Sequence, residues 1–105
     1  MSQEGLQSDA RFAESYVRSR VEKGYGALRI RQELKLRGVE VEDQSVMAAW
    51  DFESLIEKVY AKKYGLSPPG SVVERASREL FLRQRGFDND QIRHLFRRLG
   101  RDVDA

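Results

Sequence analysis

The 105-residue chain has no cysteine, which excludes a disulfide framework and any thiolate metal site and leaves packing as its source of stability. It has a single histidine, His94. A zinc site would therefore need clustered carboxylates, and the sequence offers none at ligand spacing. Arg93, Arg97 and Arg98 beside His94 would repel a cation, so His94 reads as a surface residue and no metal or other cofactor is expected. The two prolines, Pro68 and Pro69, are adjacent and mark one clear loop, Ser67-Pro68-Pro69-Gly70. No apolar run approaches the roughly 20 residues of a membrane span, and Met1 to Gly5 lack the basic and apolar blocks of a signal peptide. A soluble, cytoplasmic protein with no membrane partner is expected. A phosphate-cradling loop is also missing, since Gly24-Tyr25-Gly26 opens on Ala27 and Leu28 and reads as a hinge. Without a strand-turn-helix elbow nothing marks a nucleophile, and an enzyme is not expected.

Nor is there a large excess of one charge: 19 Lys and Arg stand against 17 Asp and Glu, for a net +2. The distribution is uneven. Between Arg75 and Arg101 there are eight arginines against Glu79, Asp88 and Asp90, a local balance of +5. Such a stretch suits phosphate or an acidic protein surface, although arginine is also a good helix former on solvated faces.

What the chain does have is helical periodicity almost throughout. Phe12, Ala13, Tyr16, Val17 and Val21 predict a first helix from Asp9, its cap, to about Lys23. Ala27, Ile30 and Leu34 predict a second, ended by Gly38. Val46, Met47, Ala49 and Trp50 predict a third from about Glu42, with Trp50 as packing. Phe52, Leu55, Ile56, Val59, Tyr60 and Tyr64 line a fourth, closed by Gly65. Ser71, with Glu74 three residues on, predicts a capped fifth helix whose buried side is Val72, Val73, Ala76, Leu80 and Phe81. Asp88 and Gln91 repeat that capping pattern before a sixth stripe, Ile92, Leu95, Phe96 and Leu99, after which Gly100 to Ala105 has no apolar period.

The unit repeats. Phe12-Ala13-Glu14-Ser15-Tyr16 is echoed by Tyr60-Ala61-Lys62-Lys63-Tyr64, and Leu34-Lys35-Leu36-Arg37-Gly38-Val39 by Leu82-Arg83-Gln84-Arg85-Gly86-Phe87, both at an offset of 48. Ile30 falls opposite Arg78, and the intervening segments share little. The expected fold is all-α: two tandem three-helix repeats at 9–50 and 51–99, about six helices in an elongated body, with a remnant at 1–8 and a disordered tail at 100–105. Such scaffolds usually bind. Arg31 and Lys35, Lys58 and Lys62, and Arg93 and Arg97 are each one helical turn apart, and Arg75 and Arg78 sit at three-residue spacing, so each pair can present a basic ridge. Base-reading Asn, Gln or Ser are sparse beside them, which argues against sequence-specific DNA reading.

Asp9-Ala10-Arg11-Phe12-Ala13, then Lys23-Gly24-Tyr25-Gly26, then Arg29-Ile30-Arg31-Gln32-Glu33-Leu34 with Gly38-Val39, resembles the middle repeat of the RecX family of bacterial recombination regulators. Ala61-Lys62-Lys63-Tyr64-Gly65, Phe81 to Phe87 and Ile92 resemble that family's last repeat. The resemblance covers about residues 6 to 99, and its most specific part is the Lys-Gly-Tyr-Gly hinge followed by the Arg-Ile helix. It implies a non-enzymatic protein that binds RecA filaments on single-stranded DNA, suppressing strand exchange, ATP hydrolysis and the co-protease activity behind the SOS response. Single-stranded DNA would be contacted weakly or through RecA, and a monomer is expected. Arg29, Arg31, Lys35, Arg37, Lys58, Lys62, Arg75, Arg78, Arg83, Arg85, Arg93 and Arg97 are then the candidate contacts to RecA or DNA. Gly24, Tyr25, Gly26, Ile30, Leu34, Gly38, Leu82, Gly86 and Phe87 are motif positions expected to act mainly on structure.

The family usually carries a further three-helix repeat before this region, which here would be reduced to Gly5-Leu6-Gln7-Ser8, so weaker, incomplete inhibition is expected on multivalency grounds. Two other readings stay open: a helical module binding single-stranded DNA without RecA, with Tyr25 as its one candidate stacking platform, and a structural repeat whose only partner is another protein.

Overall fold

The computed structural model describes the backbone of residues 2–39 and 45–104, and the side chains of 11–39 and 46–100. It contains six helices among the described residues: α1 (Ser2–Glu22), α2 (Ala27–Leu36), α3 (Ser45–Ala48), α4 (Phe52–Tyr64), α5 (Val72–Arg85) and α6 (Asn89–Asp104). The body is elongated, its longest dimension more than twice the others. α1 packs on α2 and α3, and α6 packs on α4 and α5. One cluster of buried side chains runs through both sets, from Val17, Ile30 and Leu34 to Ile56, Tyr60, Leu82 and Leu95.

Local sequence accounts for most boundaries. Asp51 accepts the backbone N–H of Ser54 at 3.2 Å to start α4, and Ser71 accepts that of Glu74 at 3.1 Å to start α5. The Glu74 carboxylate reaches back one residue further than a capping box requires, to the Gly70 N–H at 2.8 Å. Asp88 and Gln91 form the full reciprocal pair at the head of α6, with the Gln91 N–H donating to Asp88 Oδ1 at 2.7 Å and the Asp88 N–H to Gln91 Oε1 at 3.0 Å. α1 starts at Ser2, so Asp9 lies inside it rather than capping it. α6 is helical through Asp104, beyond the last apolar position of its stripe. The expected start of the third helix at Glu42 lies outside the described residues.

The repeat is reproduced at its helix ends. In α2 the Val39 N–H donates to the Leu34 carbonyl at 2.9 Å and the Gly38 N–H to Lys35 at 3.0 Å; 48 positions on, Phe87 donates to Leu82 at 3.2 Å and Gly86 to Arg83 at 3.0 Å. Both ends are Schellman motifs, and Gly38 and Gly86 supply their left-handed residue at φ +78° and +103°.

Within the apolar stripe of α1, Phe12 is 42% exposed and covers Tyr16, with ring centroids 5.5 Å apart. One further sequence expectation is corrected. The buried side of α5 is not its valine stripe: Val72, Val73 and Leu80 are 84%, 79% and 53% exposed, Ala76 is exposed, and Leu82 is the fully buried residue, with Phe81 half-buried. The face turned inward carries Arg78, Phe81, Leu82 and Arg85. Arg78 thus takes the place that Ile30 holds in the first copy, with its guanidinium 4.6 Å from the Tyr64 ring centroid and donating to Tyr60 Oη at 2.7 Å. A long side chain with a flat cationic head can fill a core-facing position when aromatic rings receive it, which apolar periodicity does not register.

Candidate binding surface

The two hinge motifs of the sequence meet in space. Gly26, at the N-cap of α2, donates its N–H to the Arg85 carbonyl at 2.7 Å, and the Leu28 N–H donates to the Gly86 carbonyl at 3.0 Å. Side chains cross in both directions: Arg85 Nη1 donates to the Lys23 carbonyl at 3.0 Å, and Arg29 Nη1 to the Gln84 carbonyl at 2.9 Å. Contact this close needs glycine on both segments. A Cβ on Gly26 would stand 2.5 Å from the Gly86 carbonyl carbon and oxygen, and one on Gly86 would overlap the Arg29 Cβ. Lys23-Gly24-Tyr25-Gly26 and Arg85-Gly86-Phe87 are therefore the two halves of one joint.

Tyr25 is half-buried at the centre of this joint, with the guanidinium carbons of Arg20, Arg29 and Arg85 at 4.2, 4.4 and 4.9 Å from its ring centroid. Those cations occupy the π-surface that a base would need, which corrects its reading as a stacking platform. The charge is balanced by Glu33, whose carboxylate accepts from Arg20 Nε at 2.8 Å, Arg20 Nη2 at 2.7 Å, Arg29 Nε at 3.1 Å and Tyr16 Oη at 2.8 Å. These hydrogen bonds, Arg20's first, hold the Glu33 carboxyl down to about 2. Burial, then the bond to Glu33, pushes the Tyr16 phenol up. Glu33 was not among the expected site residues; the i,i+4 pairs Tyr16/Arg20 on α1 and Arg29/Glu33 on α2 are the signal that could have found it.

The expected contact residues fall into two groups. Arg29, Arg78 and Arg85 are committed to the bonds just given. Arg75 and Arg83 both pair with Glu79, at 2.9 and 3.3 Å, and Arg93 pairs with Asp90 at 2.6 Å. Arg37 lies over Tyr16 with its guanidinium carbon 4.8 Å from the ring centroid. Arg31, Lys35, Lys58, Lys62 and Arg97 are exposed and form no ion pair among the described residues. Of the motif positions, Ile30, Leu34, Leu82 and Phe87 are buried at 0%, 0%, 0% and 1% exposure.

Lys58 and Lys62 border a groove of about 410 Å³ beside the joint. Lys23 enters it from the end of α1 and Lys63 and Arg85 from α4 and α5, so cations from three helices meet there against Glu22. Its apolar walls are Leu55, Val59 and Phe81. Spacing along one helix shows the Lys58–Lys62 ridge but not Lys23, which joins it only through the fold. His94 is exposed, with Nδ1 3.7 Å from Glu53 Oε1. Among the described residues there is no group of three His, Asp or Glu placed to hold a metal, and no helix long and apolar enough to cross a membrane.

The chain is similar to known proteins over most of its length. Residues 8–45 match the second three-helix domain of RecX. The chain is 50% identical to the regulatory protein RecX of Chromohalobacter salexigens across 90% of its own length and 63% of the relative's. It is 38% identical to that of Halorhodospira halophila, across 89% and 60%, and 37% identical to that of Pseudomonas fluorescens, across 99% and 68%. It thus spans a little under two thirds of the first two relatives and slightly more of the third. The matched residues 8–45 contain α2, the Lys23–Gly26 half of the joint and the Glu33 hub, and the chain belongs to the RecX family of regulatory proteins.

Proposed function

We propose that this chain is a non-catalytic regulator that binds RecA filaments formed on single-stranded DNA and damps RecA's strand exchange, ATP hydrolysis and co-protease activities, thereby modulating DNA repair, recombination and the SOS response. It acts as a cytoplasmic monomer, and it contacts single-stranded DNA weakly or through RecA. The observation that carries this reading is the glycine joint. It ties the start of α2 to the end of α5, and in this reading the two three-helix units thereby present Arg31 and Lys35 on α2, and Lys58, Lys62 and Arg97 on α4 and α6, in a constant arrangement. A filament repeats its surface from protomer to protomer. A rigid body touching neighbouring protomers adds weak contacts without a further ordering cost, and affinity rises through effective concentration.

The alternative, a module acting on bare single-stranded DNA, loses support from the covered faces of Tyr25, because sequence-tolerant strand binders use open aromatic platforms. Co-sedimentation separates the two. The chain should pellet with RecA filaments on single-stranded DNA and stay in the supernatant with the same DNA alone at physiological salt. Equal retention on bare DNA, collapsing as salt rises, would favour the alternative, and no retention on either would remove both.

A further inference from the structure

The groove between α1, α4 and α5 combines two properties that the filament reading does not by itself require. Its rim is cationic: Lys58, Lys62 and Lys63 from α4 face Lys23 from the end of α1 and Arg85 from α5, with Glu22 as the one acidic residue in its lining. Five positive charges against one negative draw in an anionic occupant. Its floor is aliphatic, formed by the half-buried Leu55 and Val59. The one aromatic in the lining, Phe81, is not available for stacking. Lys63 Nζ lies 4.1 Å from its ring centroid and the Arg85 guanidinium carbon 5.4 Å, while Tyr64 meets it edge-on at 5.8 Å. A nucleic-acid strand would find charge here but no platform for its bases. A protein segment of Asp and Glu bearing an aliphatic side chain would match both rim and floor.

We infer that this groove is a docking site for an acidic protein segment carrying an aliphatic residue, its carboxylates meeting Lys23, Lys58, Lys62 and Lys63 and its aliphatic side chain lying on Leu55 and Val59. The inference goes beyond the proposed regulation of RecA, since it concerns the chemistry of the occupant and holds whichever protein carries the segment.

The probe is a short synthetic peptide of alternating Glu and Leu, titrated into isotope-labelled protein and followed by amide chemical shifts, with a Glu–Ser peptide and oligothymidylate as parallel titrants. The amides of Glu22 to Gly24 and of Leu55 to Lys63 should move with the Glu–Leu peptide, and the Glu–Ser peptide should bind several-fold more weakly. Lys58 and Lys62 are exposed and form no ion pair among the described residues, so Lys58→Glu/Lys62→Glu should keep the wild-type circular dichroism while weakening the Glu–Leu peptide about tenfold or more. If the double variant loses helix, Lys58→Glu alone, with a smaller loss of affinity in the same direction, serves in its place. Unchanged affinity in the reversed variants, equal binding of the two peptides, or larger shifts at these amides with oligothymidylate would each overturn the inference. No RecA is present in this titration, so its failure leaves the co-sedimentation result standing, and failure there leaves this one standing.

Discussion

Glu33 ties α1 to α2 beneath the joint, and its replacement should destabilise the fold. Replacing it by Gln keeps the shape but removes the charge that four donor groups from Tyr16, Arg20 and Arg29 converge on. The Glu33 side chain is 17% exposed and the Arg20 side chain 19%, so the pairing is only partly screened. A carboxyl lowered from 4.5 to about 2 corresponds to roughly 3 kcal/mol of stability at neutral pH. The folded-state value is the depressed one, so this contribution is complete above the unfolded value near 4.5 and is lost as pH falls from there through about 2. Urea unfolding of wild type and Glu33→Gln across this range should show a gap of about 3 kcal/mol at pH 7, reduced to roughly half by about pH 3. A variant as stable as wild type at pH 7, or a gap that stays constant on acidification, would refute the assignment of Glu33 as the charged hub beneath the joint.

The joint makes a paired prediction. Gly86→Ala, at φ +103° and against the Arg29 Cβ, should cost about 2–5 kcal/mol from conformational strain and overpacking together. Gly38→Ala shares the positive φ but meets nothing within 4 Å and should cost only about 1–2 kcal/mol; equal losses in thermal melts would dismiss the close approach. The corrected face of α5 predicts that Val72→Lys/Val73→Lys changes stability by less than about 0.5 kcal/mol, and a melting temperature lowered by many degrees would return those valines to the core. Arg31→Glu/Lys35→Glu should weaken retention on RecA filaments about tenfold while leaving the fold intact, and filament binding equal to wild type would remove that ridge from the interface.

Those outcomes bear on how far the sequence could be read. Helix positions were legible because periodicity and caps are local: Asp88 with Gln91, Ser71 with Glu74, and Gly38 and Gly86 each act within one turn. The stripe Ile92, Leu95, Phe96, Leu99 was legible because α6 is covered along that whole face by α4 and α5. α5 was misread because Val72 and Val73 stand on its solvent face, while Arg78 takes an inward position in place of an aliphatic residue by laying its guanidinium against Tyr60 and Tyr64. The joint was not legible as a joint, although each of its motifs was: Gly26 and Gly86 are 60 positions apart, and no local pattern says that two glycines will face one another. The same holds for the lysine groove, where Lys58 and Lys62 share a helix face but Lys23 arrives from another helix. Spacing along one helix finds ridges, and only the packing of several helices shows which ridges meet.

The most direct test of the account is RecA ATP hydrolysis on single-stranded DNA while this chain is titrated in, with binding to the bare strand recorded in the same buffer. Hydrolysis should fall at concentrations where bare-strand binding is still negligible, and Arg31→Glu/Lys35→Glu should shift the curve to higher concentration. Hydrolysis that stays unchanged, or that falls only in step with occupancy of the bare DNA, would contradict a regulator that acts on the filament.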